Sequence, residues 1–384
     1  MNTQNTTVHL RLWHRNFWMI VIANLLLCMS VTMLIPTLPL WMLYKEGLTI
    51  AETGIAMGIF GIGVFLPGFV CSYLVQHYRR NLVCVWAILL LASTILFPLY
   101  VGQTSPVFFY SIRMAQGVAF GLAQMVLAST LIIDTCDSSQ RTEANHSTSW
   151  FGRFALSLGP LVGLLIYEVV NMEMVLFVAS GCCIVASCLI LAVHFPFRVP
   201  SDHLNKFSLD RFLLVKGWPL LVNMLPVMIA VGIVFSLPHT IYFYALMMVG
   251  FLLALLAQRY VFADADLKSE IISGLVLLIS AILTMLFSPS SPLCAPLMAL
   301  GLGIVGARFL LFFIKLSKHC QRGTAQSTFL LGWELGLSLG VGAGYLYFEG
   351  DKYSSLECSL GLLVVSLVLY VLFIHKWFIT NKNR

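Results

Sequence analysis

Apolar runs of about 20 residues, the length that crosses a bilayer as a helix, follow one another along nearly the whole chain. They fall at 17–43, 52–75, 82–101, 107–133, 145–167 and 174–194. After a more polar stretch they resume at 218–236, 240–262, 271–287, 293–314, 326–347 and 356–375. With 59% hydrophobic and 10% charged residues and a mean hydropathy of +0.92, 384 residues carry more apolar surface than a water-soluble fold of that size buries. Inside a bilayer the backbone must satisfy its own hydrogen bonds, and a helix does so within each segment. The pattern predicts an all-α integral membrane protein of twelve transmembrane helices. The first residues are too polar, and the run after them too long, for a cleaved signal peptide.

Charge then orients the chain. With the N-terminus inside, the cytosolic segments hold seventeen of the 22 Lys and Arg residues, among them Arg79, Arg80, Arg141, Lys216 and Arg322. The opposite loops hold only Lys45 and Lys352, and three arginines, Arg113, Arg153 and Arg308, are embedded. Such a bias places the basic loops and both termini in the cytosol, in a cell (inner) membrane. The net charge of +6 is therefore topological. The expected partners are the lipid bilayer and a small solute, with no nucleic acid, and the expected state is a monomer.

Shifting the chain by 181 positions lays Arg141–Glu168 on Arg322–Glu349, with nine identities in 28 positions. The matches include Leu-Ser-Leu-Gly at 156–159 and 337–340, Gly163 with Gly344, and the closing Glu. An internal duplication follows: a six-helix half over 1–194, a cytosolic linker over 195–217, and a second half over 218–384. Arg153 then falls opposite Glu334. Parallel repeats of this kind place a solute site near the midplane where the halves meet.

Four short segments carry further signal. Helix four contains RMAQGVAFG, with Arg113, Gln116, Gly117 and Gly121. An Arg amid an apolar helix costs about 2.5–3.5 kcal/mol on insertion scales, so it faces protein or a watery cavity. Glycines four apart let a neighbouring backbone approach. Helix five contains ALSLGPLVGL, with Gly159, Pro160 and Gly163, and Pro160 removes one helical hydrogen bond. Helix one ends in TMLIPTLP, with Pro36 and Pro39, and the loop SYLVQHYRRN carries Arg79 and Arg80.

In this order and placement the segments resemble signatures of the major facilitator superfamily, in the branch of twelve-span drug/proton antiporters and efflux permeases. The resemblance implies two pseudo-symmetric six-helix bundles and a secondary transporter working by alternating access. The Gly159-Pro160 motif is similar to that of exporters exchanging solute for protons, although Ala155 and Leu164 replace two of its glycines. Pro36 and Pro39 match the first-helix pattern, with Thr32 where an acid often stands. The loop signature has Gln76 in place of its Asp, so its charge latch lacks the anion.

The resemblance thus implies a small-molecule exporter with proton exchange. Facilitated import of a metabolite stays open, as does a transporter-like sensor or lipid-handling protein without proton coupling. Arg113, about 9 Å from the outer end at 1.5 Å per residue, is held by Gln116 and backbone carbonyls or meets an anionic solute group. Glu334 is read as the only embedded acid, about 12 Å from the cytosolic end near Gln326. Its partner is Arg308, as a brace inside the second half, or Arg153, as a gate between the halves. The brace is the expected pair, since helices ten and eleven are sequence neighbours. Ten scattered cysteines without a CxxC, and no HExxH, GxSxG or phosphate-binding loop, give no expectation of a metal, a cofactor or an enzyme.

The charge bias puts Asn5, Ser201 and Asn383 inside and Lys352 outside. In a cysteine-free background, Lys352→Cys is expected to react with an impermeant maleimide added outside intact cells. Labelling from the cytosolic side alone overturns the topology.

Overall fold

The structure, a computed structural model, describes residues 12–101, 105–137, 139–195, 205–262 and 266–382. Asn5, Ser201 and Asn383 lie outside the described residues, as does 196–204 of the expected linker. Every regular element among the described residues is helical. Counting one bent pair as a single span gives twelve crossings. They are α1 Arg15–Tyr44, α2 Ile50–Phe65 with Gly68–His77, α3 Arg80–Leu99, α4 Pro106–Asp134, α5 Arg141–Val169 and α6 Met172–Ala192. The second set is α7 Val215–Phe235, α8 Ile241–Tyr260, α9 Leu267–Phe287, α10 Cys294–Leu316, α11 His319–Phe348 and α12 Lys352–Asn381.

Local chemistry explains where these helices start and bend. The Thr49 side chain caps α2 and Glu52 returns the bond, a reciprocal box that satisfies two free donors. Pro67 then separates the two pieces of α2, which meet at 46°. Helix α1 breaks at Met33, between Arg15–Thr32 and Leu34–Tyr44. Pro36 has no N–H to offer the Thr32 carbonyl four residues back, and its ring crowds that carbonyl. Several helices begin earlier than their apolar runs, because helix ends extend past the hydrocarbon into the polar interface. Helix α9 starts at Leu267 and α11 at His319, and both shifts change the charge map below.

The packing scheme repeats. Helix α1 packs on α5 and α6, α3 on α4 and α6, and α2 on α4. Six positions on, α7 packs on α11 and α12, α9 on α10 and α12, and α8 on α10. The two sets meet through α2 with α11 and α5 with α8. Glycine makes the repeated contact. A Cβ at Gly159 would run into Thr32, and one at Gly163 would sit 2.7 Å from the Met33 carbonyl, so α5 lies directly on the α1 break. Their duplicates Gly340 and Gly344 press on Ile229, Gly232 and Ser236 of α7 in the same manner. Thr32 Oγ1 completes the first contact by donating to the Ala155 carbonyl at 2.8 Å.

A strap joins the two sets at the arginine-rich end. Ser208 N donates to Phe69 O on α2 at 2.9 Å, and Arg211 N donates to Thr324 Oγ1 on α11 at 3.0 Å. Leu214 N donates to Thr328 Oγ1 at 2.7 Å. Phe212 is buried against Phe65 and Phe69, with ring centroids 5.7 and 5.2 Å away, and only glycine fits beneath it at 68. Arg211 adopts φ 59°, an uncommon left-handed conformation for a side-chain-bearing residue, held by the bonds on either side. Thr328→Val leaves the Leu214 N–H buried without an acceptor and is expected to cost about 1–3 kcal/mol. Thermal unfolding checks the loss, and protease sensitivity around residues 206–212 should rise; unchanged values in both contradict the strap.

Candidate functional site

Of the expected site residues, the helix-four group forms a packing node. Arg113 Nη1 donates to Gln116 Oε1 at 2.8 Å, and Gln116 Nε2 donates to Thr94 O of α3 at 3.1 Å. The guanidinium centre lies 4.6 Å from the Phe60 ring of α2. Gly117 and Gly121 receive the α2 backbone at Phe60–Val64, where a Cβ would collide. The internal space beside Arg113 measures about 10 Å³, room for a water at most. These residues tie α2, α3 and α4 together.

The structure corrects the pairing expected for Arg308. Its Nε donates to the Glu270 carboxylate of α9, in an ion pair with Glu270 fully buried. Glu334 is therefore not the only embedded acid and does not brace α10. The cause is the early start of α9, which brings Glu270 into the first helical turn, facing α10. The signal was one residue outside the apolar run at 271. A second pair escaped the sequence reading altogether. Arg80 pairs with Asp134 at the end of α4, so α4 supplies the anion absent at Gln76. Gln76 turns to its own helix and donates to Ser72 Oγ at 2.8 Å. Arg79 is the residue preceding the first turn of α3.

Two embedded charges remain, and both lie on the seam between the first six and last six helices. Arg153 on α5 is 3% exposed, and none of its three guanidinium nitrogens has a hydrogen-bond acceptor among the described residues. It stacks 4.6 Å from the Trp150 ring and abuts α10 and α11: a Cβ at Gly306 would lie 3.0 Å from Arg153 Nε and 2.7 Å from Trp333 Cζ3. Glu334 on α11 has no hydrogen bond or ion pair among the described residues. It is half-buried although deep in the helical body. The Cys28 thiol of α1 lies near it. Gln124 Nε2 of α4 donates to Cys28 Sγ at 2.9 Å, while Gln124 Oε1 has no donor.

Both charges lie at one depth. Counted from Arg141 and Arg322, each lies twelve residues along its helix, about 18 Å in at 1.5 Å per residue and near the midplane. This is deeper than the position inferred for Glu334 from the apolar run alone, because α11 starts earlier. A second register-matched pair lies between them and the arginine-rich end: Asn145 and Gln326, both fully buried, with neither amide atom of either partnered. At that end the seam is closed by Arg322 Nη1 donating to Thr142 Oγ1 at 3.2 Å, and by Gly323, where a Cβ would lie 2.7 Å from the Ser129 carbonyl. The helix-five and helix-one motifs flank the site, since Gly159, Pro160 and Gly163 hold α5 on the bend of α1 set by Pro36 and Pro39. No group of three or more His, Cys, Asp or Glu among the described residues is placed to hold a metal.

Unpaired buried charges in a membrane body are costly and mark a solute or ion path. Twelve crossings in two sets with one repeated packing scheme are the build of a large class of carriers. The chain matches the Major Facilitator Superfamily model over residues 20–344 and belongs to that family. It is a secondary transporter and an integral membrane protein. Its fold is similar to that of the human organic anion transporter MFSD10 (TETRAN), with a TM-score of 0.64, 16% identity, and coverage of 92% of this chain and 98% of that one. It is also similar to a mutant of the nucleoside transporter NupG, with a TM-score of 0.63, 16% identity, and coverage of 94% and 99%. No curated protein matches.

The two acids should behave oppositely on neutralisation. Glu270→Gln strands Arg308 and is expected to cost about 3 kcal/mol in thermal unfolding. Glu334→Gln removes an uncompensated charge and should leave stability unchanged or raised. The reverse order contradicts the assignment of the Arg308 pair.

Proposed function

We propose that the protein exports a small organic solute from the cytosol in exchange for protons, and that Glu334 is the exchanging carboxylate. One observation carries this reading: Glu334 stands at midplane depth on the seam, half-buried and without a partner. A carboxylate in that setting is stable as the neutral acid or with a cation beside it. Proton and solute thus compete for one group, which is the minimal chemistry of exchange. The titratable group nearest to it is Cys28 on α1, and Arg153 on α5 is the embedded cation at the same helical depth. The exporter direction draws support from the Gly159-Pro160 segment and the Pro36-Pro39 bend, which meet at the α1–α5 contact. Both termini and the arginine-rich end face the cytosol of a cell membrane, and one chain forms the whole seam as a monomer.

In the cycle the seam closed by Arg322, Thr142 and Gly323 opens toward the cytosol, and solute displaces the proton from Glu334. Release on the other side lets a proton return. When the seam is empty and narrow, Arg153 is the counter-charge within reach of Glu334 and acts as the gate between the two sets of helices.

Counterflow in proteoliposomes, over a panel of labelled amino acids, nucleosides and organic acids, identifies transported solutes. For any such solute an imposed pH gradient is expected to accelerate net flux through the wild-type protein. Glu334→Gln should keep solute-for-solute exchange and lose that acceleration. Equal acceleration in the variant contradicts the role of Glu334, and absence of flux across the panel contradicts transport of these classes.

A further inference from the structure

The exchange reading leaves Arg153 without a task in the loaded carrier. Arg153 keeps its charge at every physiological pH, so it cannot shed it as Glu334 can. It is 3% exposed and has no acceptor for any guanidinium nitrogen among the described residues. A solute with a cationic group alone would satisfy Glu334 and leave the arginine bare. One with an anionic group alone would satisfy Arg153 and give Glu334 nothing to exchange against a proton. We infer that the solute is amphoteric, with an anionic group received by Arg153 and a protonated amine received by Glu334.

This inference rests on the exchange reading above, and the surrounding residues support it. The two side chains stand at matched depth on register-matched helices of opposite halves, the placement that a solute held at both ends across the seam requires. On the Glu334 side, Gln124 Oε1 is a second buried acceptor without a donor, beside the same Cys28 thiol. On the Arg153 side, the N–H of Trp150 is unpartnered as well, adding a donor where the anionic group would lie. Acceptors thus collect at the acid and donors at the arginine. The Trp150 and Trp333 rings flank Arg153, and Phe329 lies 5.6 Å from Trp333, which suits a solute with an apolar body.

A matched series separates the two charges. Phenylalanine, N-acetylphenylalanine, phenylalaninamide and N-acetylphenylalaninamide present both charges, the anion only, the cation only and neither; leucine gives a parallel set. Binding to the purified full-length protein is read by tryptophan fluorescence and thermal shift. The amphoteric member of a set is expected to bind roughly tenfold or more tightly than either singly charged member, the scale of a lost charged hydrogen bond. Arg153→Gln should erase the advantage of the free carboxylate and spare that of the amine, and Glu334→Gln should do the reverse. Arg153→Lys, which keeps the charge without the planar fork, should retain part of the carboxylate advantage and guards against a folding defect in the Gln variant. Tightest binding by a singly charged or neutral member, an equal loss for all members in both variants, or no binding by either set overturns the inference. The exchange reading is judged separately, by the response of flux to a pH gradient.

Discussion

The arrangement depends on how closely α5 can lie on α1. Without side chains at Gly159 and Gly163, the α5 backbone rests on Thr32 and Met33, where Pro36 has already broken the helix. Gly340 and Gly344 repeat the contact between α11 and α7. In a bilayer no hydrophobic force draws helices together, so close van der Waals packing of this kind sets their positions. These two contacts bring Arg153 and Glu334, carried by α5 and α11, to the same depth on opposite sides of one seam. The Leu-Ser-Leu-Gly echo is thus a packing device, and the charged site is its consequence.

Charge is handled differently away from the seam. Arg308 with Glu270 and Arg80 with Asp134 are paired within their own sets of helices, and Arg113 is held by Gln116 and the Phe60 ring. Each of these cations has a local partner, so each can stay fixed while the seam changes shape. Arg153, Glu334, Asn145 and Gln326, on the register-matched helices α5 and α11, lack such partners among the described residues. At the arginine-rich end the strap through Phe212 ties α2 to α11, across the same junction where Gln76 offers no anion.

Much of this was legible from residue order. Each of the twelve apolar runs coincides with a helix, because hydrocarbon thickness acts on local sequence. The pairs formed by Arg308 and Arg80 were not legible. Each joins residues on different helices, and each acid sits at the edge of a run, where a shift of a few residues decides whether it enters the helix. Glu270 enters, and so the brace anticipated between Arg308 and Glu334 does not form. The strap was hidden for a similar reason. Its bonds use backbone N–H groups and threonine hydroxyls, which carry no periodicity or charge signal across more than a hundred residues of separation.

The central claim is that Arg153 and Glu334 act as one opposed pair across the seam. Charge exchange tests it most directly, with proteoliposome counterflow measured for Glu334→Arg, Arg153→Glu and the two combined. The account expects each single reversal to abolish counterflow, because two like charges then face one seam, and the combined protein to recover part of it. Counterflow that survives either reversal, or a combined protein as inactive as the singles while still folded by thermal unfolding, would contradict the account.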